Sequence, residues 1–314
     1  MKRIIIFGSA GFIGTNLCKK LLSYGNYELH LIDLKSCDFK HNNCFFYNFD
    51  ITLKKNKKLL QNIIKDDSII IDLISKFGED KKTNYTNINL SFLRSIVEVS
   101  NNFNNIRYYY FSSSSVYGYE YKNEICEYST HNFNCDYGKS KSICEKYLQD
   151  NYSFHKNYLV IIRPSPVIDV NDLRGNFGLF AKFQKININL KIGKSLNKKS
   201  LCLLNNLSDF LLFLINKNIY ENNIYNYADK INNKDFSLNE IYSFFNKDFK
   251  IKIYIPLIIF RIVCLVFDKF NINLFNNIKY KKYISYTMLD IKRTIGTGFK
   301  PKQNIKTELL KLSK

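Results

Sequence analysis

An α/β architecture, a doubly wound parallel sheet with a smaller C-terminal lobe, follows from three observations. Short β-branched runs alternate with helix-spaced segments over residues 1–165. A glycine-rich turn directly follows the first of those runs, and beyond residue 165 the alternation loosens into longer loops. A chain of 314 residues suffices for one such unit and an attached lobe. The expected division is 1–165, with a later return of about 200–230, and 166–314 as mainly the second lobe.

Arg3 to Phe7 is short, β-branched and bounded by glycine, which predicts a buried parallel strand. Phe12 to Leu22 places Ile13, Leu17 and Leu21 at helical spacing. Tyr27 to Leu34 reads as a second strand and Ser68 to Ile74 as another. Leu90 to Val99 reads as a helix, and Arg107 to Phe111 as a strand running directly into serines. Tyr137 to Leu148 is helical, and Tyr158 to Ile162 is a strand stopped by Arg163-Pro164. Asp169 to Lys199 is loop-rich, Ser208 to Ile215 helical, and Ile224 to Tyr227 a short strand placed to return to the main sheet. Ile253 to Phe267 is the most apolar stretch, interrupted by Pro256 and Arg261. It is shorter than the roughly 20 residues that span a bilayer. That leaves a packed helix of the lobe or a helix lying on a membrane surface.

Composition narrows the function classes. With 46 % apolar residues the chain is not disordered. The formal charge of +20 invites a nucleic-acid reading, but the lysines are scattered and no RNA-binding signature or zinc-finger spacing accompanies them. An anionic diphosphate or a negatively charged membrane surface suits that charge better, and no nucleic-acid partner is expected. The eight cysteines show no Cys-x-x-Cys spacing and no leader-like segment precedes the first strand, so reduced thiols in the cytoplasm are expected. The four histidines form no ligand pattern, and no metal is expected.

Gly8, Gly11 and Gly14 stand at Gly-x-x-Gly-x-x-Gly spacing at the strand-to-helix turn, with Phe12 and Ile13 opening the helix. Such a turn lets the backbone approach a pyrophosphate closely and meets its charge with the unpaired N–H groups of a helix N-terminus. Asp33, 19 residues beyond Gly14, ends the second strand. There a carboxylate accepts hydrogen bonds from a ribose hydroxyl pair and repels a 2′-phosphate, which favours NAD over NADP, although Lys35 lies nearby.

Tyr137 and Lys141 lie four residues apart, hence on one helix face. A free tyrosine ionises near about 10, roughly 4 kcal/mol from serving as a base at neutral pH. An adjacent ammonium favours the phenolate. Ser113 follows a strand at its carboxyl end, where such sheets place their sites.

The order glycine loop, Ser112-Ser113-Ser114-Ser115-Val116-Tyr117-Gly118, then Tyr137-x-x-x-Lys141 resembles the extended short-chain dehydrogenase/reductase family, its NAD-dependent epimerase/dehydratase group, with a Rossmann-like fold. Further landmarks are Ile162-Arg163-Pro164, Arg174-Gly175-Asn176, Lys199-Ser200 and Gly298-Phe299-Lys300-Pro301, so the resemblance runs along the whole chain. It is strongest toward bacterial 4-epimerases of O-antigen and other surface-polysaccharide assembly, acting on UDP-linked or undecaprenyl-diphosphate-linked N-acetylhexosamines.

The resemblance implies several roles. Ser113, Tyr137 and Lys141 are the catalytic set, with Ser113 selected because it stands four residues before Tyr117. Asp50 and Ile51 lie beside the adenine, and Leu73 to Ser75 beside the cofactor ribose, where Ile74-Ser75 replaces the usual Ala-Ala. Pro164 and Tyr137 join the cofactor contacts, Lys141 bonds the nicotinamide ribose, and an oxidised nicotinamide ring adds to the acidification of Tyr137. Ser113, Ser114, Arg174, Asn176 and Lys199 face the substrate, although Arg174 and Lys199 read equally well as solvated basic residues. Relatives that dehydrate the sugar carry an Asp-Glu pair after the catalytic hydroxyl residue. Here Ser114 and Ser115 stand there, which disfavours dehydration and leaves epimerisation at C4. A 4-keto-sugar reductase and a non-catalytic NAD-binding subunit are the alternatives. The family also implies a homodimer through a four-helix contact, and the basic surface suggests a place at the inner face of the cytoplasmic membrane.

Overall fold

The computed structural model describes every residue except 37, 38, 40, 77–83, 170–187, 232–233, 245–250, 271–276 and 312–314. Two compact units divide the chain. The first holds Met1–Val116, Asp136–Arg163 and Ser208–Tyr225; the second holds Tyr117–Cys135, Pro164–Leu207 and Asn226–Lys314.

The first unit is built on a seven-stranded sheet. Its strands are β1 (Lys2–Phe7), β2 (Tyr27–Ile32), β3 (Cys44–Tyr47), β4 (Ile69–Asp72), β5 (Arg107–Phe111), β6 (Tyr158–Pro164) and, at the far edge, Asn223–Tyr227. The spatial order is Asn223–Tyr227, β6, β5, β4, β1, β2, β3. Every pairing from β6 to β3 is parallel. Ile4, Ile5, Ile6 and Phe7 are all fully buried, as a strand covered on both faces requires. On one face α2 (Lys57–Ile63), α3 (Tyr85–Ser100) and α4 (Asp136–Asn151) set Leu60, Leu93, Ile96, Val97, Cys144 and Leu148 against Ile5, Phe7, Ile70, Tyr108 and Ile161. α1 (Phe12–Tyr24) and the helix Leu204–Asn216 are joined by the Lys20–Asp209 ion pair at 2.5 Å. Strand order reverses between β1 and β4, so the loops leaving those two strands diverge and leave a crevice at the carboxyl edge.

The second unit has short paired strands. Val167–Ile168 pairs parallel with Cys202–Leu203, Lys198–Lys199 pairs antiparallel with Phe236–Ser237, and Ile188–Ile192 pairs parallel with Ile251–Ile255. Its core gathers Ile168, Leu201, Leu203, Phe236, Ile241, Ile305 and Leu309. Residues 117–135 belong here, although the sequence places them with the first domain. Their ties are long-range: Tyr117 Oη donates to Asn226 Oδ1 at 2.8 Å, and the Asn226 amide donates to Glu127 at 3.0 Å.

Several elements differ from the sequence expectation; Ile188–Ile192, for one, is a strand inside the stretch expected to be loop-rich. β3 is a four-residue, partly exposed edge strand without alternation to announce it. β6 continues through Arg163 to Pro164, because the guanidinium is buried against Glu145 instead of ending the strand. The apolar stretch 253–267 is a strand followed by a helix, Leu257–Lys269. Pro256 sits at the helix cap, where its missing N–H costs nothing.

Candidate active site

The carboxyl ends of β1, β2, β4 and β5 gather most of the residues singled out in the first unit. Gly8 follows β1 with φ +80°, a left-handed conformation that L side chains rarely adopt. Its amide donates to Ile32 O at 2.9 Å, tying the loop to the end of β2. A Cβ on Gly8 would lie 3.1 Å from the Leu73 carbonyl carbon, so this turn rests against the backbone leaving β4. Gly14 serves another purpose: its Cβ would fall 2.3 Å from Gly8 O, and only hydrogen lets α1 approach the loop this closely. Gly11 precedes Phe12 and Ile13 and caps α1 without a side chain; the first helical turn contains no acidic residue. The positive end of a 13-residue helix dipole is therefore left for an external anion.

Asp33 stands beside this loop, with Oδ2 accepting from the Ala10 amide at 2.9 Å and Oδ1 from the Lys35 amide at 2.9 Å. A carboxylate has about four acceptor sites, so ribose hydroxyls can still be bound. Asp50 forms a turn with Oδ1 accepting from the Thr52 amide at 2.9 Å, and Ile51 is buried in the sheet core. Leu73 donates its amide to Phe7 O at 3.0 Å. Nearby, the buried Ser75 Oγ has no hydrogen-bond partner among the described residues. A buried hydroxyl without a partner costs about 1–3 kcal/mol. Together with the glycine cradle, it marks a place shaped for a polar ligand, and these residues fit the pyrophosphate and ribose of NAD.

Ser113 follows β5 and caps the 3₁₀ turn Ser114–Tyr117. Its Oγ accepts from the Ser115 amide and donates to Ser115 Oγ, both at 3.1 Å. Ser114 opens that turn, half-buried. Tyr137 and Lys141 lie one turn apart on α4, where i and i+4 share a face. Lys141 is buried; its Nζ donates to Phe111 O at 2.7 Å and to Ile74 O at 3.4 Å, and lies 4.7 Å from the Tyr110 ring centre. An ammonium has three donors, so one remains for a ribose hydroxyl. Nearby Asp72 is pushed above the usual carboxylate range by burial, and the Lys141 charge and a hydrogen bond from Tyr108 oppose that rise.

Sequence reasoning missed the groups that brace this set. Glu145 on α4 receives Arg163 from β6 through Nη2 at 2.5 Å and Nε at 3.0 Å, and Ser112 donates to the same carboxylate. Asn89 on α3 donates to Ser140 Oγ at 2.6 Å and accepts from the Lys76 amide at 2.7 Å, joining α3, α4 and the segment after β4. Glu145 left a readable signal: it repeats the Tyr137–Lys141 spacing once more, putting a charge on the inward helix face.

In the second unit, Pro164 closes β6, and the following Ser165 amide donates to Tyr227 O at 2.9 Å. Lys199 Nζ is engaged by Ser285 Oγ at 2.9 Å and by the carbonyls of Lys282 and Ser285. Burial, with the Lys282 charge, pushes its ammonium down to about 7. Arg174 and Asn176 lie outside the described residues.

A parallel sheet with a glycine turn, the Asp33 carboxylate, Ser113, Tyr137 and Lys141 gathered toward its carboxyl edge fits an NAD-dependent enzyme of the Rossmann-like class. The chain belongs to the NAD dependent epimerase/dehydratase family, whose sequence model matches residues 4–206. It is 30 % identical over 131 residues to Protein CapI of Staphylococcus aureus, a match spanning 37 % of this chain and only 39 % of that protein. It is 23 % identical over 315 residues to N-acetyl-alpha-D-glucosaminyl-diphospho-ditrans,octacis-undecaprenol 4-epimerase of Escherichia coli O157:H7, covering 94 % of this chain and 89 % of that one. Among solved structures, UDP-N-acetylglucosamine 4-epimerase from Methanobrevibacter ruminantium M1, in complex with UDP-N-acetylmuramic acid, superimposes with TM-score 0.74. It is 15 % identical, over 99 % of this chain and 97 % of that one.

Proposed function

We propose that this chain is a sugar 4-epimerase that inverts C4 of a diphosphate-linked hexose or N-acetylhexosamine through a 4-keto sugar. The carrier is UDP or undecaprenyl diphosphate, as in the relatives named above. The observation that carries the reading is the Tyr137–Lys141 pair with Ser113 after β5, combined with the absence of a carboxylate at 114 or 115. Tyr137 removes the C4 hydroxyl proton and later returns one. Lys141 favours the phenolate by its charge and holds a cofactor ribose hydroxyl. Ser113 bonds the C4 oxygen as its charge changes. Gly8, Gly11, Phe12, Ile13, Gly14, Asp33, Asp50, Ile51, Leu73 and Pro164 hold the cofactor, and Ser114, Arg174 and Asn176 hold the sugar diphosphate. Lys199 joins them only by exchanging its present carbonyl partners for phosphate oxygens. Bound NAD supplies a hydride acceptor and donor at C4, so the net reaction consumes no second substrate. Pairing of two copies through α3 and α4, and a site of action at the inner membrane face, belong to the same proposal.

Purified protein incubated separately with UDP-N-acetylglucosamine and undecaprenyl-diphosphate-linked N-acetylglucosamine is expected to yield the galacto epimer from at least one donor. Protein that retains NAD yet exchanges configuration on neither donor overturns the proposal. NAD(P)H decay in step with a keto-sugar would identify a reductase instead.

A further inference from the structure

The helix Leu257–Lys269 is apolar around nearly its whole circumference, a pattern proper to a helix covered on all sides. Among the described residues only one side is covered. Phe260 and Cys264 are buried, and Phe260 meets the rings of Tyr280 and Tyr283 on the neighbouring helix Asn277–Ile284. The opposite stripe holds Ile258, Ile262 and Leu265, which are 69 %, 55 % and 49 % exposed, flanked by exposed Ile259 and Val266. The spacings of three, four and seven residues put all five on one face. Such a contiguous patch marks a surface that meets something other than water.

The surrounding charge indicates the occupant. Between residues 251 and 284 the chain carries six Lys or Arg and a single acid, Asp268. Arg261 and Lys269 are exposed on the apolar helix, while Lys281, Lys282 and Ile278 share the outer face of the neighbouring helix at i, i+3 and i+4. A second copy docked here about a two-fold axis would bring the same basic cluster against itself. An anionic partner removes that conflict. The apolar helix has 13 residues, and no helix among the described residues is long and apolar enough to cross a membrane.

We propose that the outer faces of Leu257–Lys269 and Asn277–Ile284 form a docking surface for the anionic headgroup layer of a lipid bilayer, with Ile258, Ile262 and Leu265 entering the acyl boundary and the lysines meeting lipid phosphates. The helices lie in the plane of that layer. That docking brings the enzyme to a lipid-linked sugar diphosphate rests on the function proposed above; the surface itself does not.

Vesicle sedimentation of the full chain, without substrate, tests the surface. Partition onto phosphatidylglycerol-containing vesicles is expected to exceed that onto phosphatidylcholine vesicles by about ten-fold at low salt. Ile262→Asn with Leu265→Asn is expected to lower it about ten-fold, and Lys281→Ser with Lys282→Ser to lower it several-fold and flatten its salt dependence. Equal binding to neutral vesicles, or binding unmoved by either pair, overturns the proposal. So does a dimer in light scattering that the apolar pair converts to monomer, since the occupant is then a second copy. Circular dichroism and NAD content verify that each variant is folded. Vesicle binding without epimerisation of either donor counts against the catalytic reading and leaves the surface standing.

Discussion

Lys141 carries its charge almost wholly out of water, held by the Phe111 and Ile74 carbonyls. That arrangement fixes the ammonium on the helix face that carries Tyr137 one turn away, the disposition that the proposed catalytic role calls for. Tyr137→Phe is expected to lower epimerisation by roughly 10²–10⁴-fold. NAD content is expected to stay close to that of the parent protein, because the aromatic ring is retained; epimer analysis with cofactor stoichiometry checks this. Glu145 has a different task. It neutralises buried Arg163 and receives Ser112, so it braces the end of β5 beside Ser113. Glu145→Gln leaves the guanidinium without its counter-charge and is expected to cost about 3–5 kcal/mol of stability, read from the midpoint of chemical denaturation. A midpoint equal to that of the parent protein refutes the bracing role.

At the scale of elements, the glycine turn and the start of α1 act as one part. Gly14→Ala drives a methyl group into Gly8 O, and α1 must withdraw from the loop. NAD affinity is expected to fall about ten-fold or more, by the 1–3 kcal/mol typical of overpacking, as titration of cofactor-stripped protein would measure. Elements whose cause is local were legible from sequence. The glycine spacing, the Tyr137–Lys141 turn and the β-branched runs each encode their geometry within a few neighbouring residues. Partnerships across long separations were not. Ser112, Glu145 and Arg163 come from three elements, and Asn89 meets Ser140 from another helix. Lys199 shows the same divide: near a substrate-like motif, a basic residue reads from sequence equally as a phosphate contact or a solvated charge, and the carbonyl and hydroxyl partners supplied by Lys282 and Ser285 lie more than eighty residues away. Edge strand β3 escaped detection because a half-exposed strand of four residues needs no alternation.

Across the molecule, buried charge shapes the response to pH. Asp229 accepts from the Leu203 amide at 2.7 Å and from Asn206 Nδ2 at 2.8 Å, but burial pushes its carboxyl up to about 7. An unfolded aspartate ionises near about 4, so the native state holds the extra proton between the two values. Its stabilising contribution is therefore complete below about pH 4 and is lost as pH rises through about 7. The total is of order 2–4 kcal/mol. Asp229→Asn is expected to flatten stability between about pH 4 and pH 7, measured as the difference in denaturation midpoint. An undiminished slope rules this carboxyl out as its source. The far edge of the sheet bears on how the protein is made. The strand beginning at Asn223 lies beside β6, Asn222 Oδ1 accepts from the Leu159 amide at 2.8 Å, and Arg107 stacks 4.5 Å from the Tyr220 ring centre. Synthesis reaches these residues only after β1 to β6 have been made. Nascent chains thus wait with a bare strand margin exposed, so chaperone shielding matters most over that interval, and cutting the gene after codon 165 yields an unfinished, self-sticking fragment instead of a cofactor-binding module.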